Sequence, residues 1–76
     1  MNKKISLNST IYEIIENFPE LTDTLYNLGY LGVKNNIMLN THGRLTSLAT
    51  GINKLGIDKN RVLLELTKLG FEVVDD

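Results

Sequence analysis

One phrase recurs three times in this chain and marks where helices end. Leu25-Tyr26-Asn27-Leu28-Gly29-Tyr30, Ile52-Asn53-Lys54-Leu55-Gly56-Ile57 and Leu66-Thr67-Lys68-Leu69-Gly70-Phe71 share one pattern: an aliphatic residue, two mostly polar ones, Leu-Gly and a large apolar residue. This is the spacing of a Schellman stop. The glycine takes the left-handed conformation, where a β-carbon would cost energy, and the apolar residue after it packs back on the residue four positions before the glycine. Gly29, Gly56 and Gly70 are therefore read as structural helix stops. The intervals between them are unequal, 27 and 14 residues, so one cap is used three times and there is no internal repeat.

Reading backward from the stops gives the helices. The first spans about Ile11–Asn17, with Ile11, Ile14, Ile15 and Phe18 on one face at helical spacing. Thr10 and Glu13 form a capping box at its start. Pro19 interrupts it and suits the first position of a second helix, where Glu20 and Asp23 favour the dipole. That helix buries Leu21, Leu25 and Leu28 and stops at Gly29. A later helix begins near Ser47 and presents Leu48, Ala49, Ile52 and Leu55; Asp58 caps the last, which presents Val62, Leu63, Leu66 and Leu69. At the two ends, Lys4-Ile5-Ser6-Leu7 and Phe71-Glu72-Val73-Val74 alternate and favour β structure. The expected fold is mainly α: a single domain over residues 1–76, a bundle of four to five short helices. A small two-stranded pairing of the termini would close it, but short strands need helices behind them.

Composition narrows the function. The chain has 76 residues and no cysteine, which excludes disulfides, a thiolate zinc site and an iron–sulfur cluster held by its own thiolates. His42 is the single histidine, so no metal site and no cofactor are expected. Eight basic residues stand against nine acidic ones, and the cations Lys3, Lys4, Lys34, Arg44, Lys54, Lys59, Arg61 and Lys68 are scattered. That is a poor footprint for nucleic acid. No apolar run approaches a membrane span and the N-terminal residues form no signal peptide, so a cytoplasmic location without membrane association is expected.

The stretch between Gly32 and Ser47 holds most of the unusual polar chemistry. Asn40, Thr41, His42 and Arg44 offer donors and acceptors within five residues, and Gly43 permits close approach of a backbone or ligand. Two readings stand side by side. In one, Arg44 clamps an anion with help from amides at the start of the Ser47 helix. In the other, Asn40 and Thr41 bond to nearby backbone, Gly43 allows tight packing and Arg44 pairs with a carboxylate. Catalysis is not expected, because a base–nucleophile pair of His42 with its neighbour Thr41 is geometrically awkward and no orienting carboxylate is near in sequence. Phe18, Tyr30 and Phe71 sit where helix stops need an apolar plug, whereas Tyr12 and Tyr26 fall off the apolar stripes and are candidates for partner contact.

Ile5-Ser6-Leu7-Asn8, Phe18-Pro19-Glu20, Leu28-Gly29-Tyr30, Met38-Leu39-Asn40-Thr41-His42-Gly43-Arg44 and Gly70-Phe71-Glu72-Val73 follow one another in that order. With these the chain resembles, over nearly its whole length, the bacterial and archaeal family named domain of unknown function DUF1858. The resemblance implies a small all-helical unit, free-standing or N-terminal to longer proteins that carry PAS-type sensor and hemerythrin-like regions; a related domain precedes iron–sulfur repair proteins. One branch of the family has a cysteine pair shortly after the position of Gly29, where this chain has Tyr30, Leu31, Gly32 and Val33. A redox or metal role resting on those cysteines does not transfer.

The expectation is a non-catalytic protein-interaction or regulatory module whose partner is another chain or domain, or a second copy of itself. Exposed apolar residues near Tyr12, Tyr26 or Leu31–Val33 would mark its surface. The alternative is a small-ligand or anion-sensing domain that uses Asn40, Thr41, His42 and Arg44. An enzyme would need a cleft that brings His42 to a carboxylate such as Glu13, Glu20 or Glu65.

Overall fold

Gly29, Gly56 and Gly70 have φ of 121°, 67° and 90°, and each follows a helix. The computed structural model describes residues 3–75. At the first two stops the amide of Tyr30 donates to the Leu25 carbonyl (3.0 Å) and that of Ile57 to the Ile52 carbonyl (3.1 Å). These are the six-to-one bonds of a Schellman stop. At the third, the Gly70 amide donates to the Thr67 carbonyl (3.0 Å) and the chain passes at once into a strand.

The elements run β1 (Lys3–Ser6), α1 (Ile11–Asn17), a 3-10 turn (Pro19–Leu21), α2 (Thr22–Leu28), a second 3-10 turn (Leu31–Lys34), α3 (Asn36–Asn40), α4 (His42–Leu45), α5 (Leu48–Leu55), α6 (Lys59–Lys68) and β2 (Phe71–Val74). Only Thr41 separates α3 from α4, so these two form one broken helix and the described residues form five α-helical units. The helix starts follow from local chemistry. Thr10 and Glu13 satisfy each other's backbone amides in a full capping box, and Ser47, Asp58 and Asn35 each accept from amides of the turn that follows. Pro19 opens the 3-10 turn, and the α-helix proper starts only at Thr22.

The terminal strands pair in parallel, with Lys3 opposite Phe71 and Ile5 opposite Val73. Parallel pairing needs a long crossover, here the whole helical body. Ile5, Leu7 and Phe71 are buried against that body, and the Phe18 ring meets Phe71 edge-on at 4.9 Å. Leu21, Leu25, Leu48, Val62 and Leu66 fill the centre and are inaccessible to solvent. Leu55 and Leu69 lie on the apolar stripes of α5 and at the end of α6, yet both are exposed. At those last turns the helices have run past the layer that would cover them. A separate antiparallel bridge, Thr10–Ser47, sets the starts of α1 and α5 side by side, with the Ile11 amide donating to the Thr46 carbonyl (2.9 Å) and the Leu48 amide to the Ser9 carbonyl (3.0 Å).

Candidate functional site

The four polar residues of the 40–44 segment point to separate tasks. The Asn40 side-chain amide donates to the Asn36 carbonyl (2.7 Å), and the Thr41 hydroxyl donates to the Ile37 carbonyl (2.7 Å). Both are side-chain-to-backbone bonds within α3, of the kind short polar residues make at helix ends. The Arg44 guanidinium lies 3.9 Å from the centre of the Tyr12 ring, a cation–π contact with α1. His42 alone of the four lines a cavity between α5 and the turn after α2. The second tyrosine off the apolar stripes, Tyr26, is exposed and also carries a cation on its ring: the Lys34 ammonium sits 4.4 Å over it and 3.1 Å from Asp23.

That cavity is a solvent-open groove of about 340 Å³, at the small end of the ligand-pocket range of roughly 300–1,000 Å³. One wall is the turn after α2, the other the last turns of α5, and the α3–α4 corner closes one side. Its lining is almost wholly apolar. Leu31, Met38 and Leu55 stand at its edge, 65%, 43% and 57% exposed. The polar groups at its wall are His42, Thr46 and Lys54, and no carboxylate lines it among the described residues.

The groove exists because of a close approach between Tyr30 and α5. The buried Tyr30 hydroxyl donates to the Leu48 carbonyl (2.8 Å), and its ring abuts Gly51 at Cε1. A β-carbon at position 51 would overlap the ring at Cε1. Burial pushes the Tyr30 phenol well above its ordinary value of 10.0, so it stays a neutral donor. Met38 in turn packs over Gly32, where a β-carbon would stand 3.1 Å from its methyl group.

Two signals for this site are visible in the sequence once its place is known. A glycine at position 51, inside an amphipathic helix, costs about 1 kcal/mol relative to alanine and often has a packing reason. The other signal is charge. Residues 24–57 contain no Asp or Glu, only the cations Lys34, Arg44 and Lys54, whereas the rest of the chain carries five cations and all nine acidic residues. Every residue lining the groove except Ile11 comes from this acid-free stretch.

No helix among the described residues is long and apolar enough to cross a membrane, and no cluster of three metal-ligating side chains is present among them. The same fold is found in the crystal structure of a conserved domain protein from Streptococcus pneumoniae TIGR4. The two superpose with a TM-score of 0.91 at 30% identity, covering 97% of this chain and 94% of that one. A family model described as domain of unknown function (DUF1858) matches residues 5–63, a span that contains the whole groove and ends within α6. No curated protein matches the chain.

Proposed function

Because the chain belongs to the DUF1858 family, a domain of unknown function, we propose from its geometry that it is a non-catalytic interaction module whose groove receives apolar side chains of a partner protein. The observation that carries this reading is the apolar groove edged by Leu31, Met38 and Leu55. Singly exposed apolar side chains need no explanation, but three around one concave apolar surface are what a docking site presents. Met38 suits this role, because its unbranched side chain can repack against different shapes.

Enzymatic chemistry finds less support. His42 has no ion-pair or hydrogen-bond partner among the described residues, and the groove wall carries no carboxylate to orient it. Nor do Asn40, Thr41 and Arg44 converge with His42 on a common point, since their bonds run to α3 and to Tyr12.

The test is affinity capture from the native host, run in parallel with wild-type protein, Leu31→Asp, Met38→Asp and Leu64→Asp. Leu64 is exposed on α6 and does not line the groove, so it controls for the added charge. A partner retained by wild type and Leu64→Asp but lost by the two groove variants supports the reading. A partner captured equally by all four sinks it.

A further inference from the structure

The charge around the groove says more about what fills it. Of the three cations in the acid-free stretch, two are engaged within the molecule: Lys34 with Asp23 and the Tyr26 ring, and Arg44 with the Tyr12 ring. The third, Lys54, lines the groove, is exposed and makes no ion pair among the described residues. His42 lines the same groove. The groove therefore offers an apolar floor, a free ammonium, an imidazole and no opposing negative charge.

We propose that the occupant is an acidic amphipathic helix of a partner protein, its apolar stripe seated among Leu31, Met38 and Leu55 and a flanking carboxylate meeting Lys54. This rests on the interaction reading above and deepens it. A groove between helices accepts the i, i+3, i+4 side chains of an amphipathic helix, and complementary charge sets which helix is accepted and how fast it arrives. A second copy of the chain is a poorer fit. Its exposed aliphatic residues outside the groove are Ile37 and Leu45, in the stretch without acidic residues, and Leu64 and Leu69, on or just after a helix that carries Arg61 and Lys68 and whose one carboxylate, Glu65, is already 3.3 Å from Lys68.

The experiment uses the whole chain, isotopically labelled, and follows its amide resonances during titration with three probes. The first is a synthetic helical peptide with leucines on one stripe and glutamates on both flanks. The second is the same peptide with lysine at every glutamate position, and the third is decanoate. The expected result is binding of the glutamate peptide with shifts centred on residues 29–33, 42–43 and 51–55. It should bind roughly fivefold tighter than the lysine peptide at low ionic strength, and the preference should shrink with added salt. Lys54→Glu should reverse the preference; Lys54→Gln should reduce it.

The outcomes separate the two claims. Equal binding of both peptides in the groove keeps the interaction reading and overturns the acidic partner. Saturable binding of decanoate without either peptide reassigns the groove to a small amphiphile and overturns the proposal. Shifts from neither peptide at the groove residues overturn the interaction reading with it. Because Lys54 is exposed, both variants are checked for unchanged thermal unfolding first.

Discussion

The Tyr30 hydroxyl donates to the carbonyl of Leu48 across a buried distance of 2.8 Å, which ties the residue after the α2 stop to the first residue of α5. This bond holds the two walls of the groove together. Tyr30→Phe keeps the ring against Gly51 and removes only the hydroxyl. Because a carbonyl at the start of a helix also accepts from the amide four residues on, the loss should be near the middle of the usual range. The expected cost is about 1 kcal/mol, seen as a lower urea midpoint with an unchanged slope.

The same phenol makes stability depend on alkaline pH. Burial raises the folded-state pKa of Tyr30 above its ordinary value of 10.0, so above that pH the unfolded chain releases a proton that the folded chain retains. The contribution of Tyr30 is therefore fully present below pH 10 and is lost as pH climbs toward the folded value. Urea midpoints measured from pH 8 to pH 11 should fall for the wild type. The fall should be shallower for Tyr30→Phe, which has nothing to titrate at that position.

Gly51→Ala sets two effects against each other. Alanine favours the α5 backbone by about 1 kcal/mol, but its β-carbon would overlap Cε1 of the Tyr30 ring. The ring is held at both ends, by the chain after Gly29 and by the hydroxyl bond to Leu48, and overpacking of this kind costs about 1–3 kcal/mol. The net expectation is a loss of about 1 kcal/mol. Combined with Tyr30→Phe the loss should be less than additive, since freeing the hydroxyl lets the ring move away.

What was legible in the sequence depended on distance along the chain. Helix ends at Gly29, Gly56 and Gly70 and starts at Thr10, Ser47 and Asp58 are set by bonds within a few residues, and such bonds can be read from spacing. The Asn35 cap is equally local, its Oδ1 accepting from the amides of Ile37 and Met38 at 2.9 and 3.1 Å. The broken helix of α3 and α4 is the fifth unit that an expectation of four to five helices leaves open: Met38, Thr41 and Leu45 are spaced for one helical face, but the segment shows no sustained apolar stripe. The groove itself rests on contacts between distant residues. Leu48 and Leu55 share one helical stripe, yet one is central core and the other a groove edge. No periodicity distinguishes them; only the packing of Tyr30 and the Leu31 turn against α5 does. Of Asn40, Thr41, His42 and Arg44, only His42 lies at the groove, while Lys54 sits inside a helix-stop phrase, where a lysine is an ordinary solvent-facing residue.

The three stops share a sequence pattern but not a cost of substitution. Gly56 sits at φ 67° with nothing near the position a β-carbon would take. Alanine there enters the left-handed well that L-residues can visit, at about 1 kcal/mol. Gly29 has φ 121°, outside that well, and its β-carbon would stand 3.0 Å from Cγ1 of Ile57. Backbone strain and crowding add together, so Gly29→Ala should cost about 2–3 kcal/mol. The crowding also has a direction. Ile57 follows the α5 stop, so displacing it loosens the end of α5, where Lys54 and Leu55 line the groove. Denaturation midpoints should rank wild type above Gly56→Ala and Gly56→Ala above Gly29→Ala. Amide resonances of residues 51–55 should shift in the Gly29 variant. Equal midpoints for the two glycine variants would mean that the Gly29 backbone relaxes into the ordinary left-handed well, and that the contact with Ile57 does not hold α5 in place.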